Sequence, residues 1–129
     1  MMTKELPFDP ATEPYVSMVT FRRSGAEVAT PVWIAELAGR YYLFSEARAG
    51  KVKRIKNNPR TKLAACNYRG KVSSPWLEAT SRVVSDADLI ANARQALRKK
   101  YGWQVRLGDF LATLSGRINR RAYIEISLV

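Results

Sequence analysis

Between Tyr15 and Glu46, short runs of β-branched and aromatic residues are punctuated by turn residues, and this pattern limits the fold more than any other feature of the chain. Tyr15 to Arg23 (YVSMVTFRR) is followed by Ser24-Gly25-Ala26, after which Glu27 to Leu37 (EVATPVWIAEL) alternates with Val28, Thr30, Val32 and Ile34 on one face. Two such runs joined by a tight turn predict an antiparallel hairpin. Ala38-Gly39 then turns the chain into Arg40 to Glu46 (RYYLFSE), a third strand of the same meander. Pro31 lies inside the second strand and cannot donate to a ladder. Its position is therefore an edge, a bulge, or a place where the backbone leaves the sheet to face a ligand.

The rest of the chain follows the same grammar. Gly50 to Asn58 predicts a short basic helix, with Val52 and Ile55 three apart on one stripe, Lys51 and Arg54 beside it, and Asn58-Pro59 ending the element. Arg60 to Asn67 and Trp76 to Ser85 read as strands around a loop at Tyr68 to Pro75. Ser85 or Asp86 caps a helix running to about Lys100, with Leu89, Ala93 and Leu97 facing inward. Leu107, Phe110, Leu111 and Leu114 mark a second helix, and Arg121 to Val129 closes the chain as a strand. Six strands with a minority of helix predict a mainly β fold, a small antiparallel barrel whose closure hides its edges. The 129 residues suffice for one domain. Residues 1–14, with three prolines and no periodicity, read as an irregular lead-in to a domain spanning 15–129.

Composition narrows the chemistry. The chain contains no histidine and one cysteine, Cys66, so no intrachain disulfide, Ser-His-Asp or Cys-His arrangement exists, and no ordinary zinc, haem or copper ligand set is present. No Gly-rich nucleotide loop occurs, and Cys66 among Leu63, Ala64 and Ala65 reads as a core thiol. No apolar run of membrane-spanning length appears, and the expected location is cytoplasmic. Twenty-two Lys and Arg against eleven acids give a formal charge of +11, which points to an anionic partner. Seven of those cations lie between Arg48 and Lys62 with no acid among them.

The strongest local signal is Ser45-Glu46-Ala47-Arg48-Ala49-Gly50-Lys51-Val52-Lys53-Arg54, a strand end leading through a loop into a basic helix. A hydroxyl, the free N–H groups of a helix start and cations on one helical face suit a phosphate group. The same lysines read equally as a solvated face over Val52 and Ile55.

The succession YVSMVTFRRSGAEVATPVWIAE, YYLFSEARAGKVKRIKNNPRTKLAAC and SPWLEATSRVV resembles the pyridoxamine 5'-phosphate oxidase-like split-barrel family, and within it the branch of coenzyme F420-dependent oxidoreductases. The most specific pieces are Thr30-Pro31-Val32-Trp33 and Gly50-Lys51-Val52-Lys53-Arg54-Ile55 followed by Asn58-Pro59-Arg60. The resemblance implies a six-stranded split barrel that forms a homodimer, with coenzyme F420 or FMN in grooves at the interface. It implies phosphate near Lys51, Lys53 and Arg54, with Ser45 as a hydroxyl contact, and a ring along Thr30, Pro31, Val32 and Trp33. Trp33 is read either as core and dimer packing or as a ring contact. The carboxy-terminal Arg-x-His element of the pyridoxal phosphate-forming oxidase is missing, as is any histidine for haem, so neither of those activities is expected. What remains is hydride transfer to a small organic acceptor, with the cofactor doing the chemistry and Tyr68 a candidate proton donor. The cation surplus, including Lys53, Lys56, Lys62 and Arg22, favours the more highly charged deazaflavin. Two alternatives stand beside this reading: a protein that holds its cofactor without turnover, and a basic nucleic-acid-binding module.

Overall fold

The computed structural model describes residues 6–129. Residues 1–5 of the expected lead-in lie outside the described residues, and residues 6–15 form turns and bends that bury Phe8 in the core. Seven strands follow: β1 (Val16–Phe21), β2 (Glu27–Val32), β3 (Ala35–Leu37), β4 (Arg40–Glu46), β5 (Arg60–Ala65), β6 (Leu77–Val84) and β7 (Arg121–Leu128). The helices are α1 (Gly50–Asn57), α2 (Ala87–Tyr101) and α3 (Trp103–Ser115), with a 3-10 turn at Arg117–Arg120. All strand pairs are antiparallel, in the order β2-β1-β5-β6-β7-β4-β3, so the sheet curls into a split barrel with two free edges.

The sequence predicts six strands and the structure has seven, because the run Glu27 to Leu37 divides at Trp33-Ile34. Its first half pairs with β1 and its second half with β4, at opposite edges of the sheet. Alternation alone does not show that a strand changes partners midway. The expected closed rim is accordingly open between β2 and β3, and Pro31 sits on the edge strand β2, opposite Ser17. There it interrupts no interior ladder.

The barrel interior is filled by Val16, Met18, Ile34, Leu43, Leu63, Ile124 and Ile126, and α1 lays Val52 and Ile55 into the same cluster. Fully burying each of these larger side chains contributes about 1.5 to 3 kcal/mol. A second cluster joins Tyr42, Val84 and Tyr123 of the sheet to Ala93 and Leu97 of α2 and Val105 of α3. Asp86 caps α2 by accepting from the N–H groups of Asp88 and Leu89. Gly102, at a φ of 62°, breaks the chain between α2 and α3 in a conformation that a side chain would strain.

The second long helix forms where its apolar stripe predicts, but the stripe points outward. Trp103, Leu107, Phe110, Leu111 and Leu114 are exposed, Trp103 and Leu114 each at 71%, while Val105, Asp109 and Ala112 are buried. The cause is ionic. Asp109 accepts from Arg98 Nε at 2.7 Å and Arg94 Nε at 3.4 Å, and from Arg121 Nη1 on its other oxygen, so the carboxylate face of α3 is held against the body. Across the same outer layer, Glu125 of β7 is buried between Arg82 Nε at 2.7 Å and the Tyr42 hydroxyl, which donates at 2.7 Å.

Candidate functional site

The chain crosses from one sheet edge to the other at Trp33-Ile34, and the split this leaves is a groove. A cavity of about 420 Å3 opens there, lined by Tyr15, Pro31, Val32, Trp33, Phe44, Lys51 and Tyr68. Pro31 and Val32 supply the end of β2, Phe44 the neighbouring face of β4, Lys51 the first turn of α1, and Tyr68 the loop after β5.

Each wall is fixed by local chemistry. The Trp33 ring stacks on Tyr101 of α2, with centroids 4.8 Å apart and planes 12° from parallel. Tyr101 Oη in turn accepts from the Ile34 N–H at 3.0 Å and donates to the Pro14 carbonyl at 2.9 Å, and burial pushes its pKa up to about 12. The loop bearing Tyr68 is braced by Asn67, whose side chain accepts from the N–H groups of Arg69 and Lys71. Gly70, at a φ of 87° that a side chain would strain, turns the loop beside the Pro31 ring. Phe44 packs at a tilt on Tyr123 and carries the Arg121 guanidinium 3.9 Å from its centroid.

Lys51 is the cation of the groove. Its partial burial, then the nearby Arg54 charge, hold the ammonium pKa below its ordinary value, so an anion placed there would relieve both penalties. α1 begins without a side-chain cap, since Ala49 occupies the capping position, and this leaves backbone N–H groups available at the same end.

The eight residues anticipated from sequence divide accordingly. Pro31, Val32, Trp33 and Lys51 meet in the groove, and Thr30 is half-buried one position back on β2, opposite Met18. Lys53 is exposed on α1. Arg54 donates from Nε to Thr20 Oγ1 at 2.7 Å, and its guanidinium lies against Gly50 at the start of α1. Ser45 lies across β4 from the groove, in a separate cavity of about 290 Å3 with Phe44, Glu46, Gly108, Ala112, Arg117 and Arg121. Phe44 and Tyr15 were not anticipated. The period of two along β4 carries the missing signal for Phe44, because neighbours 44 and 45 must face opposite ways.

A wider cavity of about 650 Å3 lies between α2, β3 and the amino-terminal segment, lined by Ala11, Glu36, Leu37, Asn92, Gln95 and Lys99 among others, with no aromatic wall. At its edge Lys100 Nζ donates to the carbonyls of Ile34 at 2.6 Å and Pro10 at 3.1 Å. Burial pulls the Lys100 pKa from 10.5 down to about 8, against the partial support of Asp9 and Glu13. The unfolded chain therefore binds more protons between those values, and the stability contribution of Lys100 grows as pH rises from 8 toward 10.5. Chemical denaturation at pH values on either side of 8 should show wild type gaining stability relative to Lys100→Met with rising pH; a parallel response of the two proteins contradicts this.

Cys66 is buried and unpaired, and burial raises its thiol pKa, as fits a packing residue. Among the described residues there is no group of three or more metal-capable His, Cys, Asp or Glu side chains, and no helix is long and apolar enough to cross a membrane. The groove offers a flat aromatic and proline wall, one partly buried cation and free N–H groups. That donor set suits a planar heteroaromatic ring carrying a phosphate.

Comparison with known proteins bears on the fold. The family described as pyridoxamine 5'-phosphate oxidase matches residues 2–128. No curated protein matches. Among solved structures, a conserved hypothetical protein from Mycobacterium tuberculosis is 14% identical with a TM-score of 0.70, covering 92% of this chain and 74% of that one. HutZ, a heme storage protein from Vibrio cholerae, is 11% identical with a TM-score of 0.70, covering 93% and 84%. An F420 reductase is 16% identical with a TM-score of 0.59, covering 92% and 90%. At these identities the likeness is one of fold.

Proposed function

Given that the chain belongs to the pyridoxamine 5'-phosphate oxidase family, we propose that it is an oxidoreductase that binds coenzyme F420 or FMN in the groove between β2, β4 and α1 and passes hydride to a small organic acceptor. The observation that carries the reading is the meeting of Pro31, Val32, Trp33 and Phe44 with Lys51 at the unpaired edge of the sheet. When bound, the flavin or deazaflavin ring supplies the hydride chemistry. The chain's own residues bind, orient and shield. Lys51 and the free N–H groups at the start of α1 hold phosphate, while Lys53 and Arg54 add positive potential around it. Thr30 to Trp33 present backbone and ring to one face of the cofactor, and Trp33 is kept in place by Tyr101. Tyr68, whose hydroxyl accepts from Arg69 Nε at 2.9 Å, holds a proton at the mouth of the groove.

No histidine is available to ligate haem iron, so the heme storage named for HutZ is not proposed here. The formal charge of +11 supports the deazaflavin over FMN, since its phosphodiester and glutamate tail spread several negative charges beyond the groove. Lys62 adds less than the sequence suggests, because it pairs with Glu27 and sits over Trp76. The exposed apolar face of α3 and the open mouth at Tyr68 are surfaces that a second copy would cover, and the proposed working form is a cytoplasmic homodimer.

Parallel titration with FMN and with the deazaflavin, read by quenching of Trp33, Trp76 and Trp103 and by cofactor emission, tests the assignment. Saturable binding of the deazaflavin with weaker binding of FMN is expected. Binding of neither overturns the proposal, and binding without reduction of any acceptor reduces it to a cofactor-holding role.

A further inference from the structure

We propose that the cavity enclosed by α3, the 3-10 turn and β4 is an anion subsite, formed by Arg117 and Arg121, that takes a carboxylate or phosphate group of the second reactant. The inference rests on the reading of the neighbouring groove as the cofactor site. Three observations carry it.

First, the two cavities share a wall. Phe44 lines both the groove with Trp33 and Lys51 and the cavity of about 290 Å3 with Ser45, Glu46, Gly108, Ala112, Arg117 and Arg121. A molecule anchored in the second cavity thus reaches across a single ring to the first.

Second, the lining holds a guanidinium with no carboxylate partner among the described residues. The buried carboxylate of Asp109 is shared by Arg94, Arg98 and Arg121, one negative charge among three guanidiniums. Arg117 forms no ion pair among the described residues, and its Nε donates only to Ser115 Oγ at 3.0 Å. Glu46 is the one acid in the lining among the described residues, and it is exposed. Of the two arginines that line the cavity, Arg121 is paired with Asp109 and Arg117 is left for an oxyanion, which the two guanidiniums would meet with N–H donors.

Third, the arrangement is held in place. The Ala47 N–H donates to the Arg120 carbonyl at 2.7 Å, fixing the turn against the end of β4, and Arg121 is anchored both by Asp109 and by Phe44. Gly108 contributes backbone without a side chain, and a Cβ built there meets nothing within 4 Å, so this wall stays open.

The test uses inorganic phosphate as probe on isotopically labelled protein, following the amide signals of Gly108 and Ala112 and the arginine Nε–H signals. Saturable shifts are expected in wild type, weakened on the order of tenfold in Arg117→Ala, restored in part by Arg117→Lys and unchanged in Lys51→Ala. Arg117 is exposed and unpaired, so its removal leaves the fold intact. With FMN or the deazaflavin at saturation the phosphate response should persist. Loss of the response when cofactor binds means that the cavity takes the cofactor's own phosphate and overturns the proposal. So does a response that follows Lys51→Ala instead of Arg117→Ala, or no saturable shift at all. If neither cofactor binds while the response at Gly108 remains, the anion subsite stands and the cofactor reading falls.

Discussion

Asp109→Ala is expected to lower the unfolding free energy by about 3 to 5 kcal/mol, because it strips the counter-charge from three arginines while leaving them in place. The Asp109 side chain is 4% exposed and pairs with Arg98 at 2.7 Å, with Arg121, and with Arg94 at 3.4 Å. Burial alone would push its pKa up, but the Arg121 and Arg98 guanidiniums outweigh that and hold it below 3.8. A carboxyl depressed in the folded state contributes stability that is fully present above 3.8 and is lost as pH falls through the lower folded value. Urea denaturation of wild type, Asp109→Ala and Arg94→Ala near neutral pH checks the size of the effect. Arg94 is 37% exposed and its contact is the longest of the three, so its removal should cost below about 1 kcal/mol. A loss below that same figure for Asp109→Ala contradicts the account of how α3 is held.

Lys51→Ala should weaken cofactor binding by on the order of ten- to a hundredfold, the equivalent of a charge-assisted contact of about 1.5 to 3 kcal/mol. The reason is placement: among the described residues Lys51 is the one cation lining the groove, and partial burial already disfavours its charge when no anion is near. Arg54→Ala is the informative control. Its Nε is committed to Thr20 Oγ1, and its guanidinium folds back so far that a Cβ at Gly50 would meet Nη1 at 2.6 Å. Its guanidinium thus adds charge at the start of α1 without lining the groove, and its loss should weaken binding less than Lys51→Ala does. Equal losses of affinity in the two variants, measured by fluorescence titration, would place the phosphate over the outer face of α1 instead of at the groove.

Much of the fold was written in local pattern. The hairpin at Ser24-Gly25-Ala26, the short helix with Val52 and Ile55 inward, and the Asp86 cap all follow from turn chemistry, spacing and capping, which act over a few residues. The division of Glu27 to Leu37 was not legible, because exchange of sheet partners is a tertiary event that leaves alternation intact. The outward stripe of α3 was hidden for a related reason: Leu107, Phe110, Leu111 and Leu114 look like a core face until three arginines from α2 and β7 claim Asp109 on the other side. In the groove, Pro31 and Lys51 stand out because a strand proline and a basic helix start are unusual in themselves, while Thr30, Val32 and Trp33 come from the family resemblance. Phe44, Tyr15 and the Tyr101 support of Trp33 needed the topology. Arg54 follows from its spacing of three from Lys51 and Ser45 from its place at the strand end; in the structure Arg54 Nε is bonded to Thr20 and Ser45 lines the neighbouring cavity.

The central claim is that the cofactor ring lies in the split between β2 and β4. A crystal structure of the protein loaded with the better-binding cofactor tests it most directly. The account predicts the ring against Pro31, Val32 and Trp33, bounded by Phe44, with its phosphate on Lys51. A ring lodged instead in the wider cavity beside Lys99, Gln95 and Leu37 would contradict it.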